Sequence, residues 1–286
     1  MNSRLRVAAL QTRPVFGDVA GNARRALALA DGVSPRAALY VFPELALSGY
    51  AFVSRAEARA LAETPGARRE GEAPGLATVA AWAKARRAHV VIGFPERGAG
   101  GRVYNSAVLI GPDGRVKDVY RKLHLFDAEK LWFAPGDRAP RVSRVGPARV
   151  GMLVCYDWRF PEIARVLALA GADVIAHPSN LVVPGLAQQA MRVRALENRV
   201  YAVTANRVGE DVRPGVTLGF TGRSQILDVN GGVLASAGAK GTKALVADLD
   251  LARARDKRFT ARNELFTDRR PAFYAAVARR APRRRA

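Results

Sequence analysis

Three side chains able to act together in acyl transfer stand at the ends of apolar runs. Glu44 follows "LYVFP", Lys122 follows "VKDVYR", and Cys155, the only cysteine among 286 residues, follows "GMLV". A free thiol has a pKa of about 8.5, so near neutral pH it needs a base before it can attack a carbonyl. Glu44 is the candidate base. The attack places negative charge on the carbonyl oxygen, which requires donors already aimed at it. Lys122 and the backbone N–H of Tyr156 are the candidates. A second carboxylate, Glu129, lies seven residues past Lys122 in "KLHLFDAEKLWFAPGD". Its aromatic punctuation and closing Pro-Gly-Asp favour a packed functional loop over a regular helix. Glu129 could keep Lys122 charged, orient an amide nitrogen or place a water. In isolation each residue has a plainer reading, as buried filler, surface cation or loop carboxylate; the chemistry needs all of them in one place.

The elements that must bring them together are legible as alternating short and long apolar patterns. Strands are expected at 4–10, 37–43, 89–95, 148–155, 173–178, 200–207 and 243–250, with helices at 20–33, 75–88, 160–172 and 186–199. Gly-Pro-Asp-Gly within 103–122 and Asn-Gly-Gly within 223–238 mark two hairpins. No long Pro, Gly or Ser-rich linker interrupts this order, and no sequence repeat is detectable. One α/β domain with mixed strand pairing follows, its strand ends converging on a shared crevice.

Composition narrows the classes of function. A lone cysteine makes no internal disulfide, no apolar run is long enough to span a bilayer, and the N-terminus lacks a signal-peptide pattern. A soluble cytoplasmic protein is expected. The formal net charge of +21 raises the question of a polyanion partner, but 39 arginines against 7 lysines are spread over many helices. Only "ARRAPRRRA" at 278–286 forms a basic cluster, read as a flexible terminus. No specific nucleic-acid partner is expected.

In this order, the quoted segments resemble the nitrilase superfamily of carbon–nitrogen hydrolases. "VFPELALSGY" resembles its glutamate motif at Glu44, "YRKLHLF" its lysine motif at Lys122, "DAEKLWFAPGD" the segment of its second glutamate at Glu129, and "GMLVCYDWRFPE" its nucleophile elbow at Cys155. "RVAALQT", "ADVIAHPSN", "RALENRVYAVTANRVG" and "DRRPAFY" extend the likeness to about residue 274. The resemblance implies a hydrolase domain over 1–274 and a tail over 275–286. It implies a four-layer α-β-β-α sandwich pairing into an αββα-αββα homodimer or larger homo-oligomer, with no metal or organic cofactor. The implied reaction is cleavage of a small carboxamide through a thioester on Cys155. A nitrile, or an N-carbamoyl amine or amino acid, is the alternative substrate, and a catalytically silent binding protein on the same fold is the rival class. Tyr50, Trp158, Asn180 and Val182 are implied as substrate-binding. Arg159 could recognise a substrate carboxylate, but a structural ion pair is the plainer expectation; His89, His124 and His177 are expected in structural roles, with nothing placing His124 or His177 beside Cys155.

Overall fold

Two sheets arise because each half of the chain supplies three apolar strands kept parallel by helical crossovers. The computed structural model describes residues 3–67 and 71–279. In the first sheet β1 (Arg4–Gln11), β2 (Leu39–Val41) and β3 (His89–Arg97) run parallel, and β4 (Val103–Ile110) and β5 (Val116–Arg121) follow antiparallel. In the second, β6 (Val142–Val145) pairs antiparallel with β7 (Ala148–Met152), which runs parallel to β8 (Val174–Ser179) and through it to β9 (Tyr201–Asn206). A separate hairpin, β10 (Val208–Arg213) and β11 (Val216–Thr221), precedes β12 (Gln225–Leu227) and β13 (Val233–Ser236), which complete the second sheet. β14 (Lys243–Asp250) then returns to pair with β1.

The helices close both outer faces. α1 (Val19–Asp31) and α3 (Pro74–Arg86) pack on the first sheet, α5 (Pro161–Leu169) and α6 (Leu186–Asn198) on the second. Asp18 caps α1 by accepting from Gly21 N–H at 2.9 Å, and prolines open α3 and α5 where their missing N–H costs nothing. The shorter α2 (Arg55–Ala60), α4 (Glu129–Trp132) and α7 (Leu251–Arg255) lie in connections or at the end of β14. Between the sheets, Val7, Leu39 and Val91 meet Val150, Val174 and Val203, all buried. Each such side chain contributes about 1.5–3 kcal/mol when removed from water.

The four-layer sandwich is therefore as expected, and so are the long helices and most strands. α2, β6 and the β10–β11 hairpin were not anticipated. The Glu129 segment, expected as a packed loop, contains the single turn α4. The strand expected to reach residue 155 ends at Met152, and Cys155 opens a 3₁₀ turn, Cys155–Arg159. Part of the expected tail, Ala275–Ala278, forms another 3₁₀ turn, whereas 280–286 lie outside the described residues. Among the described residues no helix is long and apolar enough to cross a membrane.

Candidate active site

Glu44 sits on the connection leaving β2, where the chain bends back against β3. That approach requires Gly93: a Cβ there would lie 2.5 Å from Glu44 Cα and 2.4 Å from Leu45 N. Lys122 directly follows β5, its N–H donating to Asn105 O at 2.8 Å and its carbonyl accepting from Gly136 N–H at 2.8 Å. The ammonium is fully buried. Its Nζ donates to Glu44 Oε1 and to Glu129 Oε1, each at 2.7 Å.

The two carboxylates differ in what remains free. Both Glu129 oxygens are engaged, since Oε1 also accepts from Tyr50 OH at 2.6 Å and Oε2 from Phe126 N–H at 3.2 Å. Glu44 Oε1 takes a second donor, Asn105 Nδ2, at 2.7 Å, but its buried Oε2 has no partner among the described residues. Burial disfavours the Lys122 charge, but Glu129 and Glu44 more than offset this and hold its pKa above the ordinary lysine value. Burial moves the Glu129 carboxyl up, against the pull of Lys122.

Cys155 is buried with φ 43°, in the left-handed region that β-carbon sterics make costly for any residue but glycine. Burial pushes its thiol well above the ordinary range, Glu44 pushes in the same direction, and Lys122 opposes both. The turn is fastened to the lysine strand by Asp157, which is fully buried. Its Oδ2 accepts from Val154 N–H at 2.9 Å and Tyr120 OH at 2.7 Å, while Oδ1 accepts from His124 N–H at 3.1 Å and lies 2.9 Å from His124 Nδ1. His124 thus has the expected structural contact, and His89 starts β3 away from these groups.

Two expectations are corrected. His177 was not expected beside Cys155, yet its Nε2 lies 3.0 Å from the Cys155 carbonyl oxygen, because β8 runs directly alongside β7. Arg159 was expected in an ion pair. Its guanidinium is instead exposed and lies 5.6 Å from the Trp158 ring centroid, with no carboxylate partner among the described residues.

A cavity of about 280 Å³ opens at Cys155, lined by Phe126, Tyr156, Trp158, Arg159, Asn180 and Val182 among others. Trp158, Asn180 and Val182, implied as substrate-binding, are among the residues on its wall. Asn180 is buried with both side-chain polar atoms unpartnered. Tyr50 is not among the residues on this wall; its hydroxyl donates to Glu129 and its ring meets Phe220 edge-on. A larger cleft of about 820 Å³, lined by Arg13, Phe220, Arg223 and Lys240, does not include the thiol. Among the described residues no cluster of His, Cys, Asp and Glu has the makings of a metal site.

A family model described as carbon-nitrogen hydrolase matches residues 6–259. The chain belongs to the carbon–nitrogen hydrolases. A protein named nitrilase from Pyrococcus abyssi is 42% identical to this hydrolase over 271 residues, covering 94% of this chain and 99% of the relative. An (R)-stereoselective amidase from a Pseudomonas species is 38% identical over 237 residues, covering 82% and 81%. Among solved structures, a variant of the amidase from Nesterenkonia sp. AN1 superposes with a TM-score of 0.76 at 26% identity, covering 94% of this chain and 95% of the other. That structure carries the acetamide moiety of fluoroacetamide covalently added at its active-site cysteine. The hydrolase is thus an enzyme of the nitrilase superfamily, with the α-β-β-α architecture that goes with it.

Proposed function

We propose that this hydrolase cleaves the C–N bond of a small, uncharged or anionic carboxamide through a thioester on Cys155. The reading is carried by the asymmetry around Lys122: two carboxylates share one ammonium, and only Glu44 keeps an oxygen free to take a proton. Because burial keeps the thiol protonated, its proton passes to Glu44 Oε2 as sulfur adds to the amide carbon. The new oxyanion is held by Lys122 and Tyr156 N–H. Glu44 then returns the proton to the departing nitrogen, ammonia leaves, and Cys155 retains the acyl group. In the second half Glu44 takes a proton from water, hydroxide adds to the thioester, and the acid departs as the proton returns to sulfur. Glu129, with both oxygens engaged, keeps Lys122 charged and in place. The cysteine adduct of the Nesterenkonia amidase supports the same nucleophile here.

The cavity supports the substrate class. Its lining is apolar and aromatic apart from Asn180 and Arg159, with no carboxylate to neutralise an amine, so a cationic N-carbamoyl amine fits poorly. Tyr156-Asp157 after the cysteine resembles the amidase branch. Nitrile hydrolysis is the second reading, favoured by the name of the Pyrococcus relative. We further propose that the enzyme is cytoplasmic, in keeping with its single free cysteine, and that it works as a homodimer, on the support of its exposed apolar helix faces.

Purified enzyme assayed for ammonia against matched amides, nitriles and N-carbamoyl compounds tests this directly. Amides should be turned over, a thioester adduct should appear on Cys155 by mass spectrometry, and Cys155→Ala should abolish both. Ammonia from nitriles but not from the matching amides would replace the substrate assignment, and full activity in Cys155→Ala would overturn the mechanism.

A further inference from the structure

The peptide unit joining Cys155 to Tyr156 has two polar ends. Its N–H is the proposed oxyanion donor, and its carbonyl belongs to Cys155. Because a trans peptide is planar with C=O and N–H pointing in opposite directions, whatever holds the carbonyl also aims the N–H. The group that holds it is His177. The ring is fully buried at the end of β8, with Nε2 at 3.0 Å from Cys155 O and 2.9 Å from Ser179 Oγ, and Nδ1 at 3.1 Å from Thr204 Oγ1.

These partners assign the tautomer. A carbonyl oxygen can only accept, so the proton belongs on Nε2, and the Thr204 hydroxyl, which can donate, serves Nδ1. The alternative would set an imidazole lone pair against the carbonyl. With one nitrogen donating to a backbone oxygen and the other accepting from a hydroxyl, the ring is not arranged to take the thiol proton. Burial, moreover, lowers its pKa to about 4 and keeps it neutral near pH 7.

We infer that His177 is a positioning residue for the oxyanion hole: its Nε2–H fixes the Cys155 carbonyl and thereby aims, and further polarises, the Tyr156 N–H toward the developing charge. The second effect follows because a hydrogen bond accepted by a peptide oxygen strengthens the donor at the other end of that unit. The first bears on backbone geometry, since Cys155 has a positive φ that needs an external restraint. The inference rests on the thioester mechanism proposed above. It adds that a buried side chain touching no substrate limits the rate of the chemical step.

The test separates thiol reactivity from oxyanion stabilisation. Alkylation by iodoacetamide is a displacement at carbon that forms no oxyanion. Addition of an aldehyde such as butyraldehyde, by contrast, joins sulfur to the carbonyl carbon and leaves charge on oxygen, as the amide reaction does. In His177→Leu, kcat for the best amide should fall about 10- to 100-fold with KM within about twofold, less than the roughly 100- to 1,000-fold of losing an oxyanion donor outright, because the Tyr156 N–H is misaligned and not removed. Aldehyde inhibition should weaken in parallel, while the iodoacetamide rate stays near that of the parent enzyme. His177→Gln, which can present an N–H near the position of Nε2, should recover most of kcat. If His177→Leu does not fold, Thr204→Val supplies the test: losing the donor to Nδ1 should lower kcat and aldehyde affinity together without slowing alkylation.

Unchanged kcat in His177→Leu, or in Thr204→Val where that is the variant available, overturns the inference. So does loss of alkylation in step with turnover in a folded variant, which would show that His177 only holds the local fold. Activity surviving in Cys155→Ala instead overturns the parent mechanism, so the two failures are distinguishable.

Discussion

At the scale of single residues, the site is an arrangement of charges in which one substitution should move two observables in opposite directions. Glu44 raises the Cys155 pKa by Coulombic repulsion of the thiolate, yet it is the proposed acceptor of the thiol proton. Glu44→Gln removes the negative charge while keeping the shape. The thiolate then gains relative to the thiol, and the midpoint of the alkylation rate against pH should move down. Amide hydrolysis should nevertheless fall by about 10²–10⁴-fold, the usual contribution of a positioned general base. Iodoacetamide labelling from pH 6 to 10, run beside ammonia release, reads both; an alkylation midpoint that rises in Glu44→Gln would refute this account of the charges. Cys155, Glu44, Lys122 and Glu129 were legible in the sequence because each lies in a distinctive local motif. The roles of Tyr50 and His177 were not, because they consist of contacts across 79 and 22 residues of separation. Their types alone suggest a packed aromatic and a core histidine.

At the scale of elements, the β10–β11 hairpin braces the site from behind. Asp211 Oδ2 accepts from Tyr50 N–H at 3.0 Å and Ala51 N–H at 3.1 Å, and both carboxylate oxygens hold the buried Arg207 guanidinium at 2.9–3.0 Å. Arg207 in turn lies 3.8 Å over the Phe220 ring, and Phe220 meets Tyr50 edge-on at 5.8 Å. The hairpin thereby fixes the tyrosine that donates to Glu129. Asp211→Asn would leave Arg207 buried without its counter-charge, which costs about 3–5 kcal/mol when a buried pair is broken. Urea denaturation should show a lower midpoint in Asp211→Asn, whereas Asp113→Asn, which breaks the exposed pair with Lys117, should leave it in place. Equal midpoints for parent and Asp211→Asn would mean that the brace carries no load.

The core strands and covering helices were readable because burial on one or both faces imposes a pattern on their residues. This hairpin was not, because its burial is irregular: Val212 is 67% exposed, and no clean alternation survives. Pro214-Gly215 was the available turn signal. The matched topology of the two sheets was equally hidden, since three parallel strands with antiparallel flanks constrain alternation of elements rather than residue identity.

At the scale of the whole molecule, the two helical faces are unequal. Outward on the second sheet's layer, α5 exposes Val166 and Leu169 and α6 exposes Val193 and Leu196, whereas α1 and α3 contribute none of the large exposed apolar residues. Leu196 also shares a surface hollow of about 480 Å³ with Phe259 and Tyr274 of the C-terminal segment, beside the charged Arg199, Lys257, Asp268 and Arg269. Large exposed apolar residues gathered on one helical layer make it a candidate association surface. Pairing through it would stack the sandwiches as αββα-αββα and leave the α1 and α3 faces outermost. Charge opposes that pairing, because each copy brings a formal +21. Salt shortens the screening length from about 10 Å at 0.1 M to about 3 Å at 1 M, so a dimer driven by apolar burial should tighten as salt rises. Sedimentation velocity should therefore show a dimer whose dissociation constant falls between 0.1 and 1 M NaCl. The double variant Val193→Lys with Leu196→Lys should sediment as a monomer at 0.1 M. A parent protein that stays monomeric at both salt concentrations, or a double variant that remains dimeric, would assign the exposed face no part in assembly. Dissociation of the parent by salt would instead mean that ion pairs, not the apolar helix faces, hold the copies together.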